Sequence, residues 1–256
     1  MSTLLAFSKK ELLEQIRSKR LLVLAILFMF FGIMNPFTAK ITPMILELLS
    51  ESMENSGINI TNMEITALDS WMQFFKNLPV AFIVFILLQS NILGKEYQQG
   101  TLTLVLTKGF ERYKVVLSKL IIMISLWTFG YFIYFITTYV YTIYFWDNSI
   151  VSNLLFSVVI WWVLGIFIIS LFTLLSCIFS NSGSSLAVTG GTVFGMYLVS
   201  LLPKINKYLP ITLSDGNSLV YGQKEVSFYI PSLIIASCLI IVFIIGSILV
   251  FNKKKL

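Results

Sequence analysis

The sequence predicts an all-α integral membrane protein, on three observations. Of its 256 residues 57% are hydrophobic and only 12% charged, where a soluble domain carries about 25% charged residues. Apolar runs long enough to cross a bilayer recur along the whole chain. Those runs are continuous rather than alternating. This suits helices, which close their own backbone hydrogen bonds in lipid, and not the strands of a barrel.

Residues 3–18, TLLAFSKKELLEQIRS, read as an amphipathic helix lying in the membrane interface. Leu4, Leu5, Phe7, Leu12, Leu13 and Ile16 form its apolar stripe, and Lys9, Lys10, Glu11, Glu14 and Arg17 its polar face. The plainer alternative is a short extension of the first span. The first span is 21–39, with Asn35-Pro36 near its end, where a break costs least. Residues 40–76 form a polar segment carrying Glu47, Glu51, Glu54, Glu64 and Asp69, with a short helix or two. The second span is 77–94. Gln89, Ser90 and Asn91 at its end are expected to face protein or water rather than lipid.

Residues 95–119 are a polar island between two apolar runs, with Lys95, Glu96, Lys108, Glu111, Arg112, Lys114 and Lys119. The third span, 120–145, is rich in Tyr and Phe. Trp146-Asp147-Asn148-Ser149 is a polar turn with an interfacial Trp. The fourth span, 151–179, is followed by an uncharged Ser/Gly link and a fifth span at 186–202. Gly191 and Gly195 there match the GxxxG spacing of close helix contacts. Ordinary close packing is the default reading and a dimer seam the sharper one. Residues 203–229 are a second polar segment, whose Leu209–Leu213 patch can dip back towards the interface. The sixth span is 230–251, and a Lys-rich tail follows.

Six spans put both termini on one side, and the charges agree. The N-terminal segment, the 95–119 loop and the tail hold thirteen of the 18 Lys and Arg, whereas eight of the 12 Asp and Glu fall on the other side. The positive-inside bias places both termini and the 95–119 loop in the cytoplasm, and segments 40–76 and 203–229 outside. The N-terminus does not read as a cleavable signal, because charge occupies positions 8–20. The net charge of +6 follows topology and is not a nucleic-acid signature.

Catalytic chemistry is missing from the residues. There is no P-loop and no G-x-S-x-G, and with no His there is no H-E-x-x-H. The spans hold almost no ionisable groups, which argues against an intramembrane protease and a proton-coupled carrier. Cys177 and Cys238 lie in apolar runs and read as small packing residues. The chain is therefore not expected to be an enzyme, and energy for any transport must come from elsewhere. The 95–119 segment has two readings on physics alone. It is a short helix that enters a groove on a cytoplasmic partner, or it is an interfacial base of the third span.

Residues 96–107, EYQQGTLTLVLT, followed by Arg112-Tyr113 and Leu117-Ser118-Lys119-Leu120, resemble the permease subunits of ABC transporters of the type 2 exporter group. That family places an acidic residue, a Gly-Thr pair, a Leu-rich stretch and a basic residue between spans two and three. It often has a Pro near the position of Gly109; this chain departs from that with Thr107-Lys108-Gly109-Phe110. The resemblance implies a permease that forms the substrate pathway as a homo- or heterodimer. Two cytoplasmic ATPase subunits bind below, carrying ATP and Mg, while this chain holds no cofactor or metal itself. It implies docking through a coupling helix that includes Glu96, Tyr97, Gln98, Gly100, Thr101, Leu102, Leu104, Leu106 and Arg112. A bacterial plasma-membrane exporter of an amphipathic peptide, antibiotic or lipid-like cargo is the expectation, with the pathway along spans two, three and five. A non-transporting sensor or scaffold subunit and a secondary carrier are the alternatives.

Overall fold

The computed structural model describes residues 3–53, 64–90, 111–179 and 181–254. Among these there is no strand. The helices are α1 (Thr3–Arg17), α2 (Arg20–Met53), α3 (Ala67–Gln89), α4 (Arg112–Phe145), α5 (Leu154–Ile178), α6 (Ser182–Ser200), α7 (Pro203–Asn206), α8 (Gly216–Val220) and α9 (Ile230–Lys253). Short 3-10 turns lie at Asn148–Ile150, Pro210–Ser214 and Val226–Phe228.

Among the described residues five helices are long and apolar enough to cross a membrane: α2 up to Ile45, α3, α4, α5 and α9 with its 3-10 lead-in. At the place of the expected fifth span lies α6, 19 residues long, which is not among the five. Its four glycines and its Ser and Thr residues dilute the apolarity. It nevertheless packs against α5 and the 210–214 turn. At its start, the Ser185 hydroxyl lies 3.5 Å from the Phe179 carbonyl just after α5. Its far end leads into α7 and the 210–214 turn, and that region is tied to the start of α5 through the bond from Ser152 N–H to the Val220 carbonyl.

The helices outreach the spans read from the sequence. The break expected at Asn35-Pro36 does not occur, and α2 continues as one helix through Pro36 and Pro43 to Met53. In the same way α3 begins at residue 67 rather than 77, and α4 at residue 112 rather than 120. The physical reason at Pro36 is visible. A helical proline lacks the N–H that would bond the carbonyl four residues back, here that of Gly32. The Thr138 hydroxyl of α4 donates to that carbonyl instead, at 3.0 Å. Asn35, fully buried, donates to the same Thr138 oxygen at 3.0 Å and accepts from Asn77 of α3 at 2.9 Å. Three helices are thus pinned at one level by bonds that lipid cannot supply. Gly32 permits the approach, since a Cβ there would lie 2.8 Å from Thr137 Cβ.

Aromatic packing fills the space around this polar knot. The rings of Phe74 and Tyr134 stack at 4.5 Å, and Phe82 meets Trp127 edge-on at 4.8 Å. The polar tips of these side chains find backbone acceptors: Tyr131 donates to the Val158 carbonyl and Tyr134 to that of Phe74, both at 2.7 Å. The inner tyrosines of α4 are therefore core, whereas Tyr139, Tyr141 and Tyr144 stay exposed.

The 203–229 segment folds against the end of the bundle away from α1. Leu213, Leu219 and Tyr229 are fully buried, so the apolar patch seats on protein. Asp215 organises the turns, accepting from Lys224 at 2.7 Å and from the Ser218 hydroxyl at 2.7 Å. The polar turn after α4 is likewise docked, with the Trp71 indole donating to Asn148 at 2.8 Å.

Thr138→Val should cost about 1 kcal/mol, the usual scale for an interhelical hydrogen bond in a membrane. Adding Pro36→Ala restores an N–H for the Gly32 carbonyl and should recover part of that loss. Reversible unfolding of the two variants in mixed detergent reads the difference.

Candidate functional site

The site is the base of α4, where the polar island of the sequence enters the bundle. Of the residues expected to dock a partner, Glu96, Tyr97, Gln98, Gly100, Thr101, Leu102, Leu104 and Leu106 lie outside the described residues, as does most of the expected coupling helix. Arg112 is described, and it stands at the first position of α4.

Its guanidinium does not project freely. Nη1 donates to the Lys254 carbonyl at 2.6 Å and to the Asn252 carbonyl at 3.2 Å. These carbonyls close α9, where a helix leaves acceptors unpaired and carries partial negative charge. Lys254 repeats the arrangement one helix further on. Its ammonium donates to the carbonyls of Cys177 at 2.7 Å and Ile178 at 3.2 Å, at the end of α5. Two basic side chains thus cap two helix C-termini in series and join α4 to α9 and α9 to α5. Burial lowers the Lys254 pKa from its ordinary value.

A small apolar cluster lies directly behind these caps. Val115 and Val116 of α4, Cys177 of α5 and Phe251 of α9 are buried together, with Phe7 of α1 and Val250 packed on them. Cys177 and Cys238 are both free thiols, and Cys177 serves here as a small apolar residue.

The fourth helix of the assembly, α1, is held by charge. Lys119 is 1% exposed and its ammonium lies 3.3 Å from the Glu11 carboxylate, itself buried. Lys10 flanks the same carboxylate at 3.4 Å from the outside. Glu11 therefore belongs to the protein-facing side of α1, together with Gln15, rather than to a solvent face. The Leu5, Leu12, Leu13 and Ile16 side chains are exposed. At the helical period, Leu5, Leu12 and Ile16 share one stripe, with Lys10, Glu14 and Arg17 roughly opposite. The helix thus presents three faces: a polar one to α4, an apolar one outward, and a charged one opposite the apolar stripe.

Four buried polar atoms without a partner among the described residues lie at this end: Ser8 Oγ and Gln15 Oε1 on α1, Gln89 Oε1 at the end of α3, and Ser176 Oγ near the end of α5; another, Asn217 Oδ1, lies on α8. Gln89 and Ser90 are buried in protein, away from lipid as the sequence suggests; Asn91 lies outside the described residues. Just before α4, the Lys114 ammonium 2.6 Å from Glu111 holds that carboxyl below its ordinary range, with the Tyr113 hydroxyl the next cause.

Sequence reasoning assigned Arg112 to the docking segment and missed the carbonyls that it caps. Glu11, Lys119 and Lys254 were read as surface charges. The available signal was Lys119 itself, which stands inside the helical apolar pattern of Val115, Val116 and Leu120.

A second feature lies higher in the bundle. An apolar groove of about 530 Å³ runs between α3, α5 and α6, lined by Phe82, Ile86, Trp161, Leu164, Thr189 and Val193 among others. Beside it, a Cβ added to Gly190, Gly191 or Gly195 meets nothing within 4 Å. The small-residue face of α6 is thus unpartnered among the described residues.

The family model described as ABC-2 family transporter protein matches residues 5–204. The match takes in α1 to α6 and ends before the 3-10 turn at 210–214 and α9. A search of curated proteins finds no match. With more than half of its length matched, the chain belongs to the ABC-2 transporter family.

Removing one partner of a buried ion pair strands the other charge and costs about 3–5 kcal/mol, whereas replacing both with apolar residues is often neutral. Glu11→Leu and Lys119→Met should each destabilise the protein to that degree, and the double variant should recover most of the loss. Thermal unfolding in detergent separates the three.

Proposed function

We propose, taking membership of the ABC-2 transporter family as the premise, that this chain is the membrane permease of an ATP-driven exporter. It works as a dimer, with ATP and Mg bound on two separate cytoplasmic ATPase subunits. The observation that carries this reading is the construction of the base of α4. The helix that directly follows the expected docking segment is fastened to α1, α5 and α9 by a buried ion pair, two helix caps and a shared apolar cluster. A push delivered at residues 95–110 by a partner therefore reaches four helices at once.

The remaining geometry fits this role. The base holds α1, the start of α4 and the end of α9, so both ends of the chain are on one side, which we read as the cytoplasm on the charge bias. With α6 running from base to far end, it serves as the sixth crossing. At about 1.5 Å per residue its 19 residues come close to the thickness of the hydrocarbon core. The outward leucine stripe of α1 then meets the bilayer and its charged face meets water, as in an interfacial helix. The groove between α3, α5 and α6, flanked by the open glycine face, suits a pathway shared with a second permease. Its apolar and aromatic lining with a few hydroxyls suits an amphipathic cargo such as a peptide, antibiotic or lipid-like molecule.

The direct test is co-purification with the ATPase subunit and measurement of its coupled hydrolysis. Glu96→Arg and Gly100→Trp should abolish both complex formation and coupling. Survival of both in the two variants removes the docking assignment and favours a scaffold or sensor role. A separate expectation concerns the dimer. A Cβ at Gly195 meets no atom among the described residues, so Gly195→Leu should leave thermal stability unchanged while lowering permease–permease crosslinking several-fold.

A further inference from the structure

A third opening lies on the flank of the bundle, between α2 and the end of α4. It shares no lining residue with the groove at α6. Its walls are Ile33, Pro36, Phe37, Lys40, Tyr141 and Phe145, with Ile41 and Met44 above, and its volume is about 420 Å³. We propose that this groove is a binding site for one anionic glycerophospholipid, with the phosphate at Lys40 and an acyl chain along Phe37 and Ile33.

The vertical order of the lining carries the inference. Phe145 is the last residue of α4, and Trp146 and Asp147 follow, so its ring marks the level where hydrocarbon gives way to headgroups. The Lys40 ammonium stands 4.0 Å from the centre of that ring. The groove's one cation is therefore held at headgroup depth by a cation–π contact. From Lys40 down to Ile33 α2 descends about 10 Å, and every lining residue on the way is apolar or aromatic. A charged mouth above an apolar slot is the shape of a lipid and not of a soluble ligand.

The charge pattern selects the headgroup. Lys40 forms no ion pair among the described residues, and no Asp or Glu lines the groove. A zwitterionic headgroup would bring its own cation to this mouth, whereas a net-negative one leaves the phosphate to the lysine. The groove lies just above the knot, where Gly32 and the Asn35–Thr138 bond hold α2 and α4 in contact. Phe37 and Tyr141, both exposed, flank the slot. The site depends neither on the ATPase partner nor on the direction of transport.

The test is native mass spectrometry of the purified full chain in mixed micelles holding equal phosphatidylglycerol and phosphatidylcholine. Wild type should retain phosphatidylglycerol in preference. Lys40→Glu should lower the ratio of the two retained lipids at least about fivefold, the scale of one interfacial basic charge, and Lys40→Arg should keep it. Ile33→Trp, which fills the lower slot, should lower retention of both lipids without altering their ratio. Lys204→Glu, an exposed lysine on another segment, should change nothing. An unchanged ratio in Lys40→Glu, or an equal fall in Lys204→Glu, overturns the proposal. Crosslinking of Phe37→Cys between two copies would assign the groove to a second permease instead.

Discussion

A lysine with about one hundredth of its surface exposed carries a desolvation cost that a carboxylate held beside it offsets. Lys119 is such a residue, and Glu11 is the partner. The pair dictates more than its own stability. It fixes which face of α1 turns inward, and so sets the apolar stripe of that helix outward and its charges opposite. It also ties the first helix of the chain to the helix that follows the polar island. Buried ion pairs are poor sources of net stability. Their use here is positional: α1 has a single arrangement in which the carboxylate reaches the ammonium. The Arg112 and Lys254 caps extend the same logic to α9 and α5, with helix-end carbonyls in place of the carboxylate.

The middle of the bundle obeys a different constraint. No water is available in a bilayer core, so each backbone group must find a protein partner. Pro36 breaks that rule for Gly32, and Thr138 mends it. The repair allows α2 to run uninterrupted past two prolines, and the Asn35 and Asn77 amides make the repaired point a three-helix junction. Stiffness at this level and charge pairing at the base together let α2, α3 and α4 behave as a body that can be tilted from below. Gly190, Gly191 and Gly195 of α6, which have open space beside them among the described residues, lie outside this body.

Much of this was legible in the sequence and some of it could not have been. Continuous apolar runs located five helices of spanning length, and a sixth helix lies at the place of the remaining run. Helix ends were misplaced wherever a distant residue decided them. Nothing near Asn35-Pro36 announces that Thr138, a hundred positions later, will accept the helix there. The amphipathic pattern of residues 3–18 was visible, but not that Glu11 would leave the polar face, because that depends on Lys119. Arg112 stood out as the basic residue of the expected docking segment, ahead of the third span. Its true neighbours are carbonyl oxygens, which every residue carries and no sequence pattern marks.

The central claim is that the base of α4, α1, α5 and α9 moves as one piece when the partner subunits use ATP. Spin labels at Glu14→Cys on α1 and Lys253→Cys on α9, in a chain with Cys177 and Cys238 replaced, test it by distance measurement in the assembled transporter. The distance within one chain should stay the same with and without ATP, while the distance between Glu14→Cys labels on the two permeases shifts. A change in the distance within the chain on ATP binding would contradict the account.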